Sequence, residues 1–135
     1  MRRLSPPGMV WAMATVSDVM AKNVLTVTAG ATVAEAATLM GERRVGSALV
    51  MDGDRLLGIF TERDIVRALG QDFDAAGRSV SEWMTVDPVS VPPDTPTTDA
   101  LRRMLDGGFR HLPVVDGDRV EGVVSIRDLS AAGMS

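Results

Sequence analysis

Two short stretches carry residue types able to do chemistry. Thr61 and Asp64 lie in GIFTERD, and Ser125 and Asp128 lie in GVVSIRD. In each, a hydroxyl is followed three positions later by a carboxylate, and a glycine stands three positions before the hydroxyl (Gly58, Gly122). One reading is local: a hydroxyl and an acid at this spacing form a capping box that satisfies free amides at a helix start. The other is a ligand site. A helix N-terminus offers amide hydrogens and partial positive charge to a phosphate. A carboxylate in the first turn can accept hydrogen bonds from vicinal ribose hydroxyls. The upstream glycine would let backbone approach such a ligand closely. The two readings are compatible, and both are expected to hold.

Composition removes several competing chemistries. The chain has no cysteine, which excludes disulfides, thiolate metal sites and thiol catalysis, and its single histidine, His111, argues against a histidine-built metal site. With no Ser/His/Asp constellation either, an enzyme is not expected. Fourteen basic against 18 acidic residues give a net charge of -4, without the basic footprint of a nucleic-acid binder. No apolar run approaches the roughly 20 residues that span a membrane. No nucleic-acid or membrane partner is therefore expected, and a cytoplasmic location fits.

The elements that must position these residues come in two copies. A constant offset of 64 places Met20 on Met84, Val27 on Val91, Ala36 on Ala100 and Met40 on Met104. The same offset places the two DGDR stretches (52–55, 116–119) on each other, Gly58 on Gly122, and Arg63-Asp64 on Arg127-Asp128. No gap interrupts the match between residues 16 and 132, so the chain is an internal repeat, a pseudo-two-fold pair rather than a solenoid. Within each copy, SDVM and SEWM read as a serine cap and one helical turn. VLTV and VSV are short extended pieces. TVAEAATLMGERR and the segment from Thr95 through Gly107-Gly108 are helical by cap, period and stop. Two apolar runs around Asp-Gly-Asp read as a hairpin; a calcium loop is the weaker alternative there, since the remaining ligands are missing. A last helix begins at Thr61 or Ser125. Each copy is thus β-α-β-β-α, and the fold class is α+β. The expected division is an N-terminal arm (1–15), a first domain (16–70), a linker (71–79) and a second domain (80–135).

This order of elements, with VSDVM…VLTV, FRHLPVVD and the closing Gly-x-x-[Ser/Thr]-x-x-Asp, resembles the cystathionine β-synthase (CBS) domain, and two in tandem resemble the CBS pair or Bateman module. The first copy departs from the usual pattern in having Ala48-Leu49-Val50 where the second has Leu112-Pro113-Val114. The resemblance implies two domains packed pseudo-symmetrically through their sheets, with two clefts between them. It implies a regulator that binds adenosine-containing ligands (AMP, ADP, ATP, NAD-type dinucleotides or S-adenosylmethionine) and signals, for instance in energy sensing, to a protein the sequence does not identify. No cofactor is required beyond that regulatory ligand.

The resemblance also implies particular contacts. One site pairs Ser125 and Asp128 with Val24, Leu25, Val45, Gly46 and Ser47; the other pairs Thr61 and Asp64 with Pro88, Val89, Phe109 and Leu112. Arg110 and His111 match a basic pair that often faces phosphates, against the plain reading of a solvated start to a strand. Gly46 and Ser47 replace that pair in the first copy, so the site with Asp128 is expected to take the more phosphorylated ligand. Apolar residues at Val16, Val19, Met20, Val66, Leu69 and Trp83 are expected to be covered by a homodimer partner. The alternative function is a dimerisation or partner-docking module whose clefts hold no ligand.

Overall fold

The computed structural model describes residues 14 to 132. Of the expected N-terminal arm, only Ala14 and Thr15 fall among the described residues. In chain order the elements are α1 (Val16–Val19), β1 (Thr26–Val27), α2 (Val33–Arg43), β2 (Ser47–Asp52), β3 (Arg55–Thr61) and α3 (Glu62–Gln71). Two 3-10 turns follow (Ala75–Gly77, Val80–Glu82), then β4 (Thr85–Val86), α4 (Thr97–Gly107), β5 (His111–Asp116), β6 (Arg119–Ser125) and α5 (Ile126–Ala131).

The 64-residue offset reappears in the geometry. Both hairpins close on two-residue loops whose first residue is a glycine with positive φ, 58° at Gly53 and 62° at Gly117, as a type II′ turn requires. Both ladders shift register at matching places, between Val50 and Met51 and between Val114 and Val115. The helices α2 and α4 both end on a left-handed residue, Arg44 (φ 56°) and Gly108 (φ 70°). Glycine carries that conformation without a Cβ penalty and arginine does not.

Two local expectations shift. The opening turns are capped by Thr15 and Ser79, not by Ser17 and Ser81, which lie inside the turns. Thr15 wins because its amide and hydroxyl both reach the Asp18 carboxylate, at 2.9 and 3.2 Å. In α4, proline's preference for the first helical position predicts Pro96 there, but Pro96 is the N-cap and Thr97 the first helical residue, because Pro96 keeps an extended ψ of 143°.

The chain divides into two compact units whose limits do not follow the repeat. The central unit runs from Val24 to Pro88; the terminal unit joins the described residues up to Asn23 with those from Val89 onward. Each unit combines the body of one copy with the opening turn of the other. In the central unit, β1 is parallel to β2, β2 antiparallel to β3, and β3 antiparallel to β4, which belongs to the second copy. Its core is Leu25, Val27, Val33, Ala36, Met40, Ala48, Val50 and Phe60, closed by Val80 from the second copy's opening turn. In the terminal unit β5 and β6 pair antiparallel, with single bridges from Val91 to Val114 and from Ala21 to Val123 at the matching positions. Its core contains Val91, Ala100, Met104, Leu112, Val114, Val124 and Leu129, closed by Val16 from the first copy. Burial of a large apolar side chain such as Phe60 contributes about 1.5–3 kcal/mol.

The segment between the copies is fastened to the central unit. Val33 N donates to Arg78 O at 2.9 Å, Val80 N to Ala31 O at 2.8 Å, and the Ser79 hydroxyl to Ala29 O. Arg78 also bridges Asp72 at 2.9 Å. The exchange explains why a glycine recurs at the same place in both copies. A Cβ on Gly58 would lie 2.6 Å from Thr85 O, and one on Gly122 would lie 2.6 Å from Ala21 O. The expectation that these glycines admit a ligand is corrected: they admit the opening segment of the other copy.

Candidate functional site

Each unit builds the same small constellation where a hairpin strand runs into a helix. In the central unit Thr61 ends β3 and caps α3. Its amide and hydroxyl donate to Asp64 Oδ2 at 2.9 and 3.1 Å, and Asp64 N donates back to Thr61 Oγ1 at 3.4 Å. In the terminal unit Ser125 N donates to Asp128 Oδ2 at 2.8 Å, and Asp128 N to Ser125 Oγ at 3.0 Å. Both are capping boxes. The local reading of the two motifs therefore holds in full.

The residues at the start of the neighbouring strand reach the same place. Ser47 pairs with Thr61, and His111 with Ser125. Gly46 O accepts from Glu62 N at 3.1 Å, and Arg110 O accepts from Ile126 N at 2.9 Å. Consequently the first and third amides of each helix are already satisfied within the fold. Arg110 is exposed in the terminal unit, and Gly46 stands at the matching position in the central unit.

The remaining residues that the sequence put forward fall into two groups. Val45 is half-buried against the central core, and Val24 is half-buried too. Pro88 is half-buried at the end of the central unit, and Val89, exposed, opens the return to the terminal unit. Phe109 is half-buried against the terminal core. Leu25 (4% exposed) and Leu112 (0%) are core residues, so they present backbone rather than side chain to any ligand. Leu25 O is itself engaged by Leu49 N at 2.9 Å.

The two carboxylates differ in a way the repeat does not announce. Asp64 is buried, and its second oxygen, Oδ1, takes the Arg67 guanidinium at 3.2 Å. Arg67 also donates to Trp83 O at 2.8 Å and lies 5.5 Å from the indole centroid. Asp128 is only half-buried, and the position matching Arg67 is Ala131. The arginine was legible as an acid–base pair three residues apart on a helix; its anchor Trp83, 16 positions away, was not.

The CBS domain family model matches residues 16–71 and again 80–135. The chain belongs to the CBS domain family. It is a tandem CBS pair of mixed α+β fold. It is 46% identical over 120 residues to an uncharacterised 17.7 kDa protein of Acidianus ambivalens, covering 87% of this chain and 71% of that one. It is 37% identical over 124 residues to the CBS domain-containing protein CBSCBSPB1 of Arabidopsis thaliana, where it covers 90% of this chain but spans only 23% of the relative's length. Among solved structures, the CBS-domain containing protein ATU1752 of Agrobacterium tumefaciens superposes with a TM-score of 0.84 at 34% identity, covering 88% of this chain and 98% of that one. The CBS domain pair of protein MJ0100, solved in complex with 5′-methylthioadenosine and S-adenosyl-L-methionine, gives a TM-score of 0.81 at 27% identity, with 88% and 94% covered. No helix among the described residues of this CBS pair is long and apolar enough to cross a membrane.

Proposed function

We propose that this CBS pair is a regulatory module, not an enzyme, that binds an adenosine-containing ligand and passes its occupancy to a partner protein in the cytoplasm. The observation that carries the reading is the capped carboxylate at Asp128. One oxygen is fixed by Ser125 N at 2.8 Å, which holds the group in a single orientation. The side chain remains half-exposed beside the exposed Arg110. A carboxylate so oriented accepts from vicinal ribose hydroxyls, and the neighbouring cation suits a phosphate ester. The ligands of MJ0100 share an adenosine ribose, which supports the same chemical class here. AMP, ADP, ATP, NAD-type dinucleotides and S-adenosylmethionine all satisfy it. The contacts with Val24, Leu25, Val45, Gly46 and Ser47 that the family resemblance implies for the Asp128 end form part of this proposal. So does the preference of the Asp128 end for the more phosphorylated ligand.

A homodimer belongs to the same proposal, on a revised face. Val16 is fully buried in the terminal core, Val19 and Met20 are packed on it, and Trp83 is packed on the central core. These four leave little for a partner. Val66 (72% exposed) and Leu69 (49%) on α3 and Phe73 (99%) beyond its end are exposed apolar residues that a partner would cover. A panel of adenosine ligands in a thermal-shift assay tests the function: at least one should raise the melting temperature, and a flat panel would favour the ligand-free docking module.

A further inference from the structure

We infer that Arg67 is the residue that makes the two ribose carboxylates non-equivalent, by occupying Asp64 in place of ligand; this rests on the ribose reading above. Asp64 has two oxygens. Oδ2 is consumed by the Thr61 amide and hydroxyl, and Oδ1 by the Arg67 guanidinium at 3.2 Å. A ribose diol arriving at buried Asp64 must therefore compete with the arginine for Oδ1.

Arg67 is not a loosely held surface cation. Its guanidinium is tied to Trp83 O at 2.8 Å and rests over the indole at 5.5 Å, with the side chain about half covered. Trp83 also packs on the central core. Its Nε1 is buried without a hydrogen-bond partner, whereas the matching position in the terminal unit holds Val19. Arginine and tryptophan thus occur together in the central unit, and alanine and valine stand in their places in the terminal one. Among the described residues no guanidinium pairs with Asp128. Arg67 is a specificity-determining residue: it closes one carboxylate to the diol and leaves adenosine ligands to the other.

Calorimetric titration of the full chain with AMP tests this through stoichiometry, which a merely structural role would not move. Wild type should bind one AMP per chain. Arg67→Ala should bind two, the added site at least about tenfold tighter than any second site of wild type, as expected for freeing a charged acceptor. The added site should vanish in Arg67→Ala/Asp64→Ala, and Arg67→Lys, which keeps an ion pair, should stay at one. Arg67→Met retains the stem over the indole and carries the test if the alanine variant does not fold. One AMP per chain in the Arg67→Ala and Arg67→Met variants, or two equal sites in wild type, overturns the inference while leaving the adenosine reading intact. No binding of AMP, ATP, NAD or S-adenosylmethionine to any of these chains overturns both.

Discussion

Adding one methyl group at Gly58 or Gly122 should loosen the exchanged opening segments. The Cβ of alanine at Gly58 would meet Thr85 O at 2.6 Å and Met84 Sδ at 2.8 Å; at Gly122 it would meet Ala21 O at 2.6 Å and Met20 Sδ at 2.8 Å. The methionine side chains can rotate away, but the carbonyls cannot. They belong to backbone held by pairing, Ile59 with Thr85 and Val123 with Ala21. Forcing a methyl group into such a contact costs about 1–3 kcal/mol. Alanine recovers roughly 0.5–1 kcal/mol by restricting the unfolded chain. The net loss is therefore centred near 1 kcal/mol and at most about 2.5 kcal/mol, and a loss of about 1 kcal/mol lowers the melting temperature by on the order of 3–5 °C for a chain of this size. Gly41 is the control, since nothing lies within 4 Å of its Cβ and it sits exposed in α2. Gly41→Ala should gain up to about 1 kcal/mol. Differential scanning calorimetry of the three variants decides the matter. If Gly58→Ala and Gly122→Ala melt at or above wild type, the glycines are not spacers for the exchanged segments and the reasoning fails.

Three further outcomes follow from the same geometry. Thr61→Ala removes the hydroxyl cap of α3 and should cost about 1 kcal/mol in urea unfolding with little change in m-value. Arg110→Ala should weaken ATP more than adenosine, with a difference that shrinks as salt rises; equal losses for both ligands in calorimetry would mean that Arg110 shapes the strand rather than reading phosphate. Light scattering should report a dimer of the 14.3 kDa chain that Phe73→Asp with Val66→Asp converts to monomer; a wild-type monomer at micromolar concentration would remove the partner from the account.

The sequence made the repeat, the order of elements and the capping boxes legible because these depend on contacts a few residues apart. Thr61 and Asp64 meet across three positions, and the Asp-Gly-Asp turns close on themselves. The exchange of opening segments was not legible. Val16 serves the terminal core and Val80 the central one, pairings that depend on contacts far apart in the chain and that local patterns do not encode. For the same reason Gly58 and Gly122 read as room for a ligand when they are room for backbone. The candidate site was legible as a set of residues at the two helix starts. The difference between its halves was only half legible: Gly46 and Ser47 against Arg110 and His111 could be read from the offset, and so could Arg67 against Ala131. What Arg67 does there depends on Trp83, reached only through the exchange.

The central claim is that an adenosine ligand is held through its ribose at Asp128. Calorimetric titration of Asp128→Ala beside wild type, with 5′-methylthioadenosine, AMP and ADP, tests it most directly. Loss of hydrogen bonds to a charged acceptor, about 1.5–3 kcal/mol, predicts a ten- to hundredfold weaker dissociation constant for whichever ligand wild type binds. Asp106→Ala, at an exposed position in the last turn of α4, should leave that constant unchanged. Equal affinity in Asp128→Ala and wild type would contradict the claim.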